Sequence, residues 1–205
     1  MKIPFFYDYT CPWAYIGSVR VEAFFADQGM EIDFRPVYLK QMKEPMLGPE
    51  PAGERSYGPR KARYYAQLRT NWAQCCGAEF GDAGKLVRTD TALLLKGALL
   101  AQEGQRFREY HDPAYRARWV DGDDVSQPSV VHRLLGQAGL DADACLDRAR
   151  SSELDQKLSD VTEEAMALGV FGVPTIVVAD RVLWGNDQFE MARYFVEHAR
   201  EAVPA

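Results

Sequence analysis

The chain has 205 residues, of which 47% are hydrophobic and 26% are charged, which is close to the average of globular proteins. Its formal net charge of −6 argues against general attraction to nucleic acids or anionic lipids. No segment approaches the roughly 20 apolar residues that a membrane span requires. The sequence therefore predicts a globular protein whose partners are small molecules or thiols, with no nucleic-acid or membrane binding.

The start of the chain and its cysteines predict a cytoplasmic location. Residues 1–7 lead directly into a strand-like run, without the apolar core and cleavage site of a secretory signal. The cysteines are Cys11, Cys75, Cys76 and Cys145, and they lack the paired Cys/His spacing of a zinc site. We expect no metal and no structural disulfides in a reducing compartment, with Cys75 and Cys76 buried as small hydrophobes.

The first part of the chain has the pattern of a strand, a helix and a second strand. β-Forming residues occupy 3–9, a helical segment runs from 12 to about 27, and residues 31–39 alternate apolar with polar. The next stretch, 44–59, is rich in proline and glycine. It predicts an irregular loop of the kind that often forms a lid.

The remainder predicts a block of helices followed by a short sheet. From 60 to about 150 the pattern is helical, with breaks at 81–84, 111–113, 122–128 and 136–141. The elements expected after this block are a helix at 152–168, a turn and buried strand at 169–178, a strand at 181–184 and a helix from 187 to about 200.

Cys11 is the most informative residue, because it stands where the first strand gives way to the first helix. With Pro12 at the first helical position, Cys11 becomes the N-cap, and its sulfur faces unpaired backbone N–H groups. This predicts a pKa below the ~8.5 of free cysteine and a reactive thiolate. The residue three places on, where a dithiol centre has its second cysteine, is Ala14.

Four motifs resemble the DsbA-like branch of the thioredoxin superfamily, and together they extend over nearly the whole chain. They are Cys-Pro-Trp-Ala-Tyr-Ile-Gly from Cys11, Trp-Val-Asp-Gly-Asp-Asp-Val from Trp119, Gly-Val-Pro-Thr from Gly172 and Trp-Gly-Asn-Asp from Trp184. The resemblance implies an α/β protein, a thioredoxin fold with a large all-helical insertion. We expect the thioredoxin-like domain at 1–52 and 152–205 and the inserted helical domain at 53–151, and family habit allows a homodimer.

Within that branch the chain looks like two neighbours. One is the FrnE-like cytoplasmic disulfide oxidoreductases, which carry Cys-Pro-Trp-Cys at the opening motif. The other is the 2-hydroxychromene-2-carboxylate isomerases with the kappa-class glutathione transferases, which generally have a serine at the position of Cys11. Ala14 removes the resolving thiol, so a mixed disulfide at Cys11 needs external glutathione, a substrate thiol or another cysteine of the chain. A deliberate cysteine replacement would also leave Ala14, and the sequence alone leaves both origins open.

The resemblance assigns further residues to the cleft around Cys11. Val173-Pro174 matches the position of a cis-proline whose backbone edge pairs with an extended peptide or with glutathione. Asn186 and Asp187, at the expected start of the last helix, match a segment that binds the α-carboxylate and ammonium of glutathione. Helix capping by Asn186 explains the same letters without a ligand.

Trp13 and Lys61 are two further candidate binding residues. Trp13 lies at an exposed helix start, where it could line an apolar substrate pocket, although aromatic residues are most often core. Lys61 recurs with Tyr64, Tyr65 and Leu68 at helical spacing, on a face expected to turn inward and reach an anionic ligand. The alternative is a solvated basic face. None of the three histidines adjoins the thiol in sequence, so no general base is assigned.

Three functional hypotheses follow, and the Cys-Pro-Trp at the start of the opening motif makes the first the leading one, although fold alone does not choose among them. The first is a thiol-dependent oxidoreductase in which Cys11 is the nucleophile and forms mixed disulfides with protein thiols or glutathione. The second is a glutathione-dependent isomerase or transferase of an aromatic or electrophilic small molecule, with Cys11 as a hydrogen-bond donor to the glutathione sulfur. The third is a non-catalytic module that holds peptides at Val173-Pro174. None requires a bound cofactor, and glutathione enters as a cosubstrate.

Overall fold

The computed structural model describes residues 2–42, 58–82 and 86–201. The strands are β1 (Lys2–Tyr7), β2 (Glu31–Pro36), β3 (Thr175–Val178) and β4 (Arg181–Trp184). The α-helices are α1 (Pro12–Phe25), α2 (Leu39–Met42), α3 (Pro59–Cys76), α4 (Ala92–Glu103), α5 (Phe107–Arg116), α6 (Pro128–Gln137), α7 (Ala142–Ala149), α8 (Ser152–Ala167) and α9 (Phe189–Glu201). Short 3₁₀ turns cover Ala26–Gln28 and Asn186–Gln188, and a π-helical segment covers Ala117–Asp121.

The strands form one mixed sheet in the order β2-β1-β3-β4. β1 pairs in parallel with β2 and antiparallel with β3, while β3 and β4 are antiparallel. Because parallel neighbours need a crossover connection, α1 links β1 to β2. The carboxyl end of β1 lies beside the amino end of β3, with Phe6 opposite Thr175. This register brings the start of α1 next to residues 173 and 174.

The helical block and the sheet share one hydrophobic core. Tyr7 and Tyr9 of the first strand and turn are fully buried and pack against Tyr115 of α5. The indole N–H of Trp119 donates to the carbonyl of Tyr9 at 2.9 Å. The expected thioredoxin fold with a helical insertion is confirmed. The domain boundaries at 52/53 and 151/152 stay predictions.

The turn that carries Cys11 forms as the sequence predicts. Cys11 is the N-cap of α1, with extended backbone angles of φ −94° and ψ 114°, and Pro12 occupies the first helical position. The helix tightens into a 3₁₀ turn and ends at Gly29, whose φ of 61° lies in the left-handed region that glycine tolerates. Local sequence therefore determines both ends of the first helix.

The expected helix break at 111–113 is wrong. α5 continues through Pro113, although an interior proline removes a backbone hydrogen bond and costs about 3 kcal/mol. The helix has a strongly apolar face, on which Tyr110, His111, Ala114 and Tyr115 are all buried. Burial of this face offsets the lost hydrogen bond.

Two other expectations for the helical block need revision. The interruption between α3 and α4 extends beyond the predicted break at 81–84, because residues 77–82 and 86–91 are non-helical. Gly77, with φ 72°, ends α3, and the Gly81 N–H donates to the Trp119 carbonyl at 2.9 Å. The predicted lid at 44–59 lies outside the described residues except for its last two, and Pro59 already begins α3. Among the described residues, no helix is both long enough and apolar enough to cross a bilayer.

Candidate active site

Cys11 is half-buried at the N-terminus of α1 and faces the loop before β3. Its thiol donates a hydrogen bond to the carbonyl oxygen of Val173, with 3.2 Å between Sγ and O. The Val173–Pro174 peptide bond is cis. Residues separated by 162 positions in sequence are thus joined by one side-chain hydrogen bond.

The direction of the Cys11 pKa is opposite to that expected from the sequence. Burial raises the pKa of the Cys11 thiol to about 12, while the backbone N–H groups of Ala14 and Trp13 act to lower it. The carboxylate of Asp8 raises the pKa further. The predicted lowering is wrong, because desolvation of a thiolate here outweighs the hydrogen-bond donors of the helix start. Cys11 is therefore a protonated thiol at neutral pH.

Asp8 fixes the turn that presents Cys11. Its buried carboxylate accepts hydrogen bonds from the backbone N–H and hydroxyl of Thr10, the backbone N–H of Leu39 and the hydroxyl of Thr91, at 2.8 to 3.0 Å. The backbone N–H of Cys11 donates to the Asp8 carbonyl at 3.1 Å. Burial raises the pKa of Asp8, and the four hydrogen bonds oppose that shift. The carboxylate joins the end of β1 to the starts of α2 and α4.

A cavity of about 560 Å³ opens beside Val173 and Pro174. Its lining residues are Trp13, Tyr64, Tyr65, Leu68, Trp72, Val173, Pro174, Trp184, Gly185, Asn186 and Asp187. The structure thus brings five of the predicted binding residues together at one wall of the Cys11 turn. Aromatic side chains dominate the lining, and Asp187 is its one charged member among the described residues. A cavity of this size and apolar character fits a small organic ligand.

A second cavity of about 740 Å³ is lined by none of the predicted binding residues, and Cys11 lies in the described lining of neither cavity. Its walls come from α1, α5 and the segment after α3, and they include Tyr15, Glu22, Arg108 and Asp112. The charged groups there pair with one another, as Arg108 does with Glu22 and Asp112. We therefore assign the candidate site to the smaller cavity.

Asn186 has a different role from the predicted helix cap. It begins a 3₁₀ turn after Gly185, and α9 starts only at Phe189. The Asn186 side chain is buried, and neither its amide nitrogen nor its oxygen has a hydrogen-bond partner among the described residues. Asp187 is exposed at the cavity. The amide oxygen lies against α1, where a Cβ added at Gly17 would be 2.5 Å from it, so the Asn186 side chain faces the helix and is covered by it.

Lys61 does not line the cavity. It is exposed near the start of α3, and its ammonium lies 5.9 Å from the ring centroid of Tyr65. Tyr64 is 59% exposed, and Ala73 is the one buried residue that α3 provides. The expectation that this face of α3 turns inward is wrong for the first half of the helix, where Lys61 and Tyr64 are exposed. The binding role of Lys61 stays a prediction.

The four cysteines are free thiols. Cys75 is exposed and Cys76 is half-buried, so the expected burial of this pair is wrong for Cys75. Both lie in the last turn of α3, while Cys145 is half-buried in α7. The Cys11 thiol bonds to a backbone carbonyl instead of to another sulfur, and Ala14 is fully buried at the position of a second cysteine.

His111 is fully buried within the aromatic core. Its Nδ1 is hydrogen-bonded to the Tyr9 hydroxyl at 3.0 Å and its Nε2 to the Ser18 hydroxyl at 2.7 Å. Burial holds the pKa of His111 well below its usual value, so the ring is neutral. Both nitrogens of His111 are therefore hydrogen-bonded to groups other than the Cys11 thiol.

Sequence reasoning did not assign Trp72 and Trp184 to the site. Trp184 ends β4 directly before Gly185. It is also the first residue of the Trp-Gly-Asn-Asp motif, and this was the sequence signal that could have assigned it to the site. Trp72 sits eight residues after Tyr64 on α3, and its spacing is compatible with core packing as well as with a cavity. The structure decides for the cavity, because α3 packs against α1 and Trp72 lines the same cavity as Trp184.

Residues 2–197 match the model of the DSBA-like thioredoxin domain. The chain belongs to this family. The DSBA-like protein is 22% identical over 200 residues to the 2-hydroxychromene-2-carboxylate isomerase of Sphingobium xenophagum, with 95% of this chain and 97% of that protein covered. The match therefore extends over nearly the full length of both chains.

Solved structures of an isomerase and of a disulfide reductase share the fold of this chain. A 2-hydroxychromene-2-carboxylate isomerase superposes with a TM-score of 0.78 at 21% identity, covering 99% of this chain and 100% of that one. The cytosolic disulfide reductase DsbM from Pseudomonas aeruginosa, solved with GSH, gives a TM-score of 0.64 at 18% identity, covering 98% of each chain. These likenesses show the fold, and the family's isomerase and disulfide-enzyme members support an enzyme.

Proposed function

We propose that this DSBA-like protein is a glutathione-dependent isomerase or transferase that acts on an aromatic or otherwise electrophilic small molecule. The observation that carries the proposal is the hydrogen bond from the Cys11 thiol to the Val173 carbonyl, with 3.2 Å between Sγ and O, and burial, which raises the pKa of this thiol, favours the same neutral form. A thiol with a raised pKa is a weak nucleophile but a competent hydrogen-bond donor. Ala14 supplies no resolving thiol. These features favour the second of the three hypotheses over the first.

Cys11 would stabilise the ionised sulfur of glutathione. The cysteine residue of glutathione would pair with the backbone of Val173, whose N–H has no partner among the described residues. The Cys11 thiol would then exchange the Val173 carbonyl for the glutathione sulfur as its acceptor. A hydrogen bond to the charged form lowers a pKa, so this exchange favours the glutathione thiolate.

The turn after β4 would hold the other end of glutathione. The exposed carboxylate of Asp187 lies at the cavity and suits an ammonium group. Glutathione carries a carboxylate and an ammonium on the same carbon of its γ-glutamyl residue.

The aromatic walls would take the second substrate. Trp13, Trp72 and Trp184 give the cavity broad apolar faces on which a flat ring can stack. A thiolate that adds to an electron-poor double bond and then leaves isomerises that bond, whereas one that displaces a leaving group remains as a thioether. The isomerase relatives and the disulfide reductase solved with GSH support this class of chemistry.

Replacing Cys11 by serine and by alanine tests the proposal. Serine can still donate a hydrogen bond, so Cys11→Ser should keep glutathione-dependent turnover within about tenfold of wild type. Cys11→Ala removes the donor and should lose about 10²-fold to 10³-fold, the cost of deleting one donor to a developing anion. Turnover of 2-hydroxychromene-2-carboxylate and of an aryl halide with glutathione measures this, and calorimetry measures glutathione binding.

The exposed Cys75 provides the matched control, because Cys75→Ser and Cys75→Ala should both leave turnover unchanged. Equal loss in both Cys11 variants would mean that the sulfur itself reacts. Absence of glutathione binding at millimolar concentration would remove the proposal altogether.

Monothiol disulfide exchange is the second candidate, favoured by the backbone N–H groups of Trp13 and Ala14 that face the Cys11 sulfur. Here the Cys11 thiolate attacks a disulfide, forms a mixed disulfide and releases one thiolate. External glutathione then attacks the substrate sulfur of the mixed disulfide. This releases the Cys11 thiolate and leaves a new disulfide between glutathione and the substrate. Cys11→Ser would abolish this reaction. Either reaction draws on glutathione and leaves four cysteines free, so we assign the protein to the cytoplasm.

A further inference from the structure

Arg20 places a positive charge directly behind the candidate site, in surroundings that are otherwise aromatic. It lies on α1, nine residues after Cys11, and its guanidinium carbon is 4.9 Å from the Phe24 ring centroid, 5.1 Å from that of Trp72 and 4.8 Å from that of Phe189. Within the part of the chain that the structure describes, no carboxylate forms an ion pair with it. Arginine stacks on aromatic faces because its guanidinium is planar and weakly hydrated.

Arg20 makes polar contacts with the thiol of Cys76 on α3 and with the turn that follows β4. Its Nη1 donates to the backbone carbonyl of Asn186 at 3.4 Å. Asn186 and Trp72 both line the cavity, the first from this turn and the second from α3. One guanidinium therefore touches two walls of the cavity while its own helix carries Cys11 at its start.

The charge of Arg20 has an electrostatic consequence for an anionic ligand. Asp187 is the one charged group in the described lining, and the chain as a whole has a net charge of −6. An anion that enters the cavity meets negative charge from both sources. A guanidinium held behind the Asn186 turn, without a carboxylate to neutralise it, supplies a compensating positive potential.

We propose that Arg20 is a positioning residue for the carboxylate end of the ligand: it holds the Gly185–Asp187 turn against α1 and α3 and makes that turn electropositive. The inference rests on the proposed glutathione function. It assigns to Arg20 no contact with the reacting sulfur. Its loss should weaken glutathione binding far more than the chemical step.

Substitution of Arg20 tests both parts of the assignment. Arg20→Met removes the charge and the Asn186 contact but keeps apolar bulk, and should raise the KM and Kd for glutathione about tenfold with kcat within about twofold. Arg20→Lys keeps the charge without the planar fork, and should raise them about threefold. In wild type the Kd should rise with ionic strength, and Arg20→Met should flatten that dependence, because screening acts on a charge that the variant lacks.

Arg193 is the matched control. Its guanidinium stacks 4.1 Å from the Phe24 ring centroid and donates to the Phe24 carbonyl at 2.8 Å, but it contacts none of the described cavity-lining residues. Arg193→Met should lower the unfolding midpoint without changing the Kd for glutathione or its salt dependence. This comparison separates positioning from loss of packing.

Each outcome is decisive. Glutathione binding by wild type together with an unchanged Kd in both Arg20 variants would overturn the Arg20 assignment and leave the proposed function standing. No binding of glutathione by wild type would overturn the proposed function and the Arg20 assignment with it. If Arg20→Met does not fold, a Kd and salt dependence of Arg20→Lys equal to those of wild type would overturn the assignment, and the threefold rise would support it.

Discussion

The protonation state of Cys11 separates the two candidate reactions, and it can be measured directly. The burial that raises its pKa from an ordinary value of 9.0 to about 12 reduces the thiolate population about 10³-fold at neutral pH. The hydrogen bond to the Val173 carbonyl acts in the same sense, because only the neutral thiol can donate a hydrogen bond to a carbonyl oxygen. The backbone N–H groups of Trp13 and Ala14 recover part of this shift.

Alkylation by iodoacetamide as a function of pH measures this pKa. In a variant that carries Cys75→Ser, Cys76→Ser and Cys145→Ser, Cys11 is the one reactive sulfur, and the same protein in denaturant is its own reference. The native rate should still be rising at pH 10, whereas the denatured rate should level off above the ordinary cysteine pKa. The position of the inflection, instead of the absolute rate, is the readout, because restricted access slows alkylation at every pH. An inflection below pH 8 in the native protein would refute the reasoning.

The same shift makes folding stability depend on pH. The native state keeps the Cys11 proton at pH values where the unfolded state has lost it, so this contribution is complete below about pH 9 and is lost between about pH 9 and 12. The loss amounts to about 1.4 kcal/mol at pH 10. Urea unfolding at pH 8 and pH 10 should therefore show a smaller decrease for Cys11→Ser than for wild type. Equal decreases would contradict a raised native pKa.

Two further substitutions test the packing around the site. Gly17→Ala would put a Cβ 2.5 Å from Asn186 Oδ1, against a buried helix face, and should lower the free energy of unfolding by about 1–3 kcal/mol in urea titrations. Gly136→Ala, whose Cβ meets its nearest neighbour at 3.7 Å, should cost nothing, and an equal loss at both positions would contradict the argument. His111→Gln should abolish a loss of stability on acidification. In wild type the unfolded state binds a proton at this histidine below about pH 6.5, whereas buried His111 stays neutral in the native state. This difference lowers the free energy of unfolding by up to about 1.4 kcal/mol per pH unit. Parallel stability curves for the variant and wild type between pH 7 and pH 5.5 would refute this.

The sequence was most informative where local rules decide the structure. Pro12 at a helix start and Gly29 after the helix end are preferences of single residues, and α1 begins and ends accordingly. β4 has the predicted bounds, since a short alternating strand between turn residues is also a local pattern. Pairing of Cys11 with Val173 required the family resemblance, because nothing local relates residues so far apart in sequence.

The sequence was least informative where a neighbouring element decides what is covered. The pattern of α3 is amphipathic, but amphipathicity does not say whether another element packs on the apolar face, and Tyr64 and Lys61 remain exposed. Pro113 is a helix breaker by local rules and is tolerated because the face around it is buried. The contact of Arg20 with the Asn186 carbonyl has no signal in the spacing of either residue.

The pKa of Cys11 combines both situations and explains why the reaction type could not be predicted from the motif. A cysteine at a helix start gains from the N–H groups of Trp13 and Ala14, which local sequence predicts, and loses from burial beneath a loop that tertiary structure supplies. The two effects shift the pKa in opposite directions. Their balance decides whether Cys11 is a thiolate or a neutral thiol that can donate a hydrogen bond to a ligand. In this chain desolvation is the larger effect, and the alanine at position 14 removes the thiol that would resolve a mixed disulfide. The neutral Cys11 thiol keeps its proton as a hydrogen-bond donor, and in the proposed function that donor would act on the sulfur of glutathione.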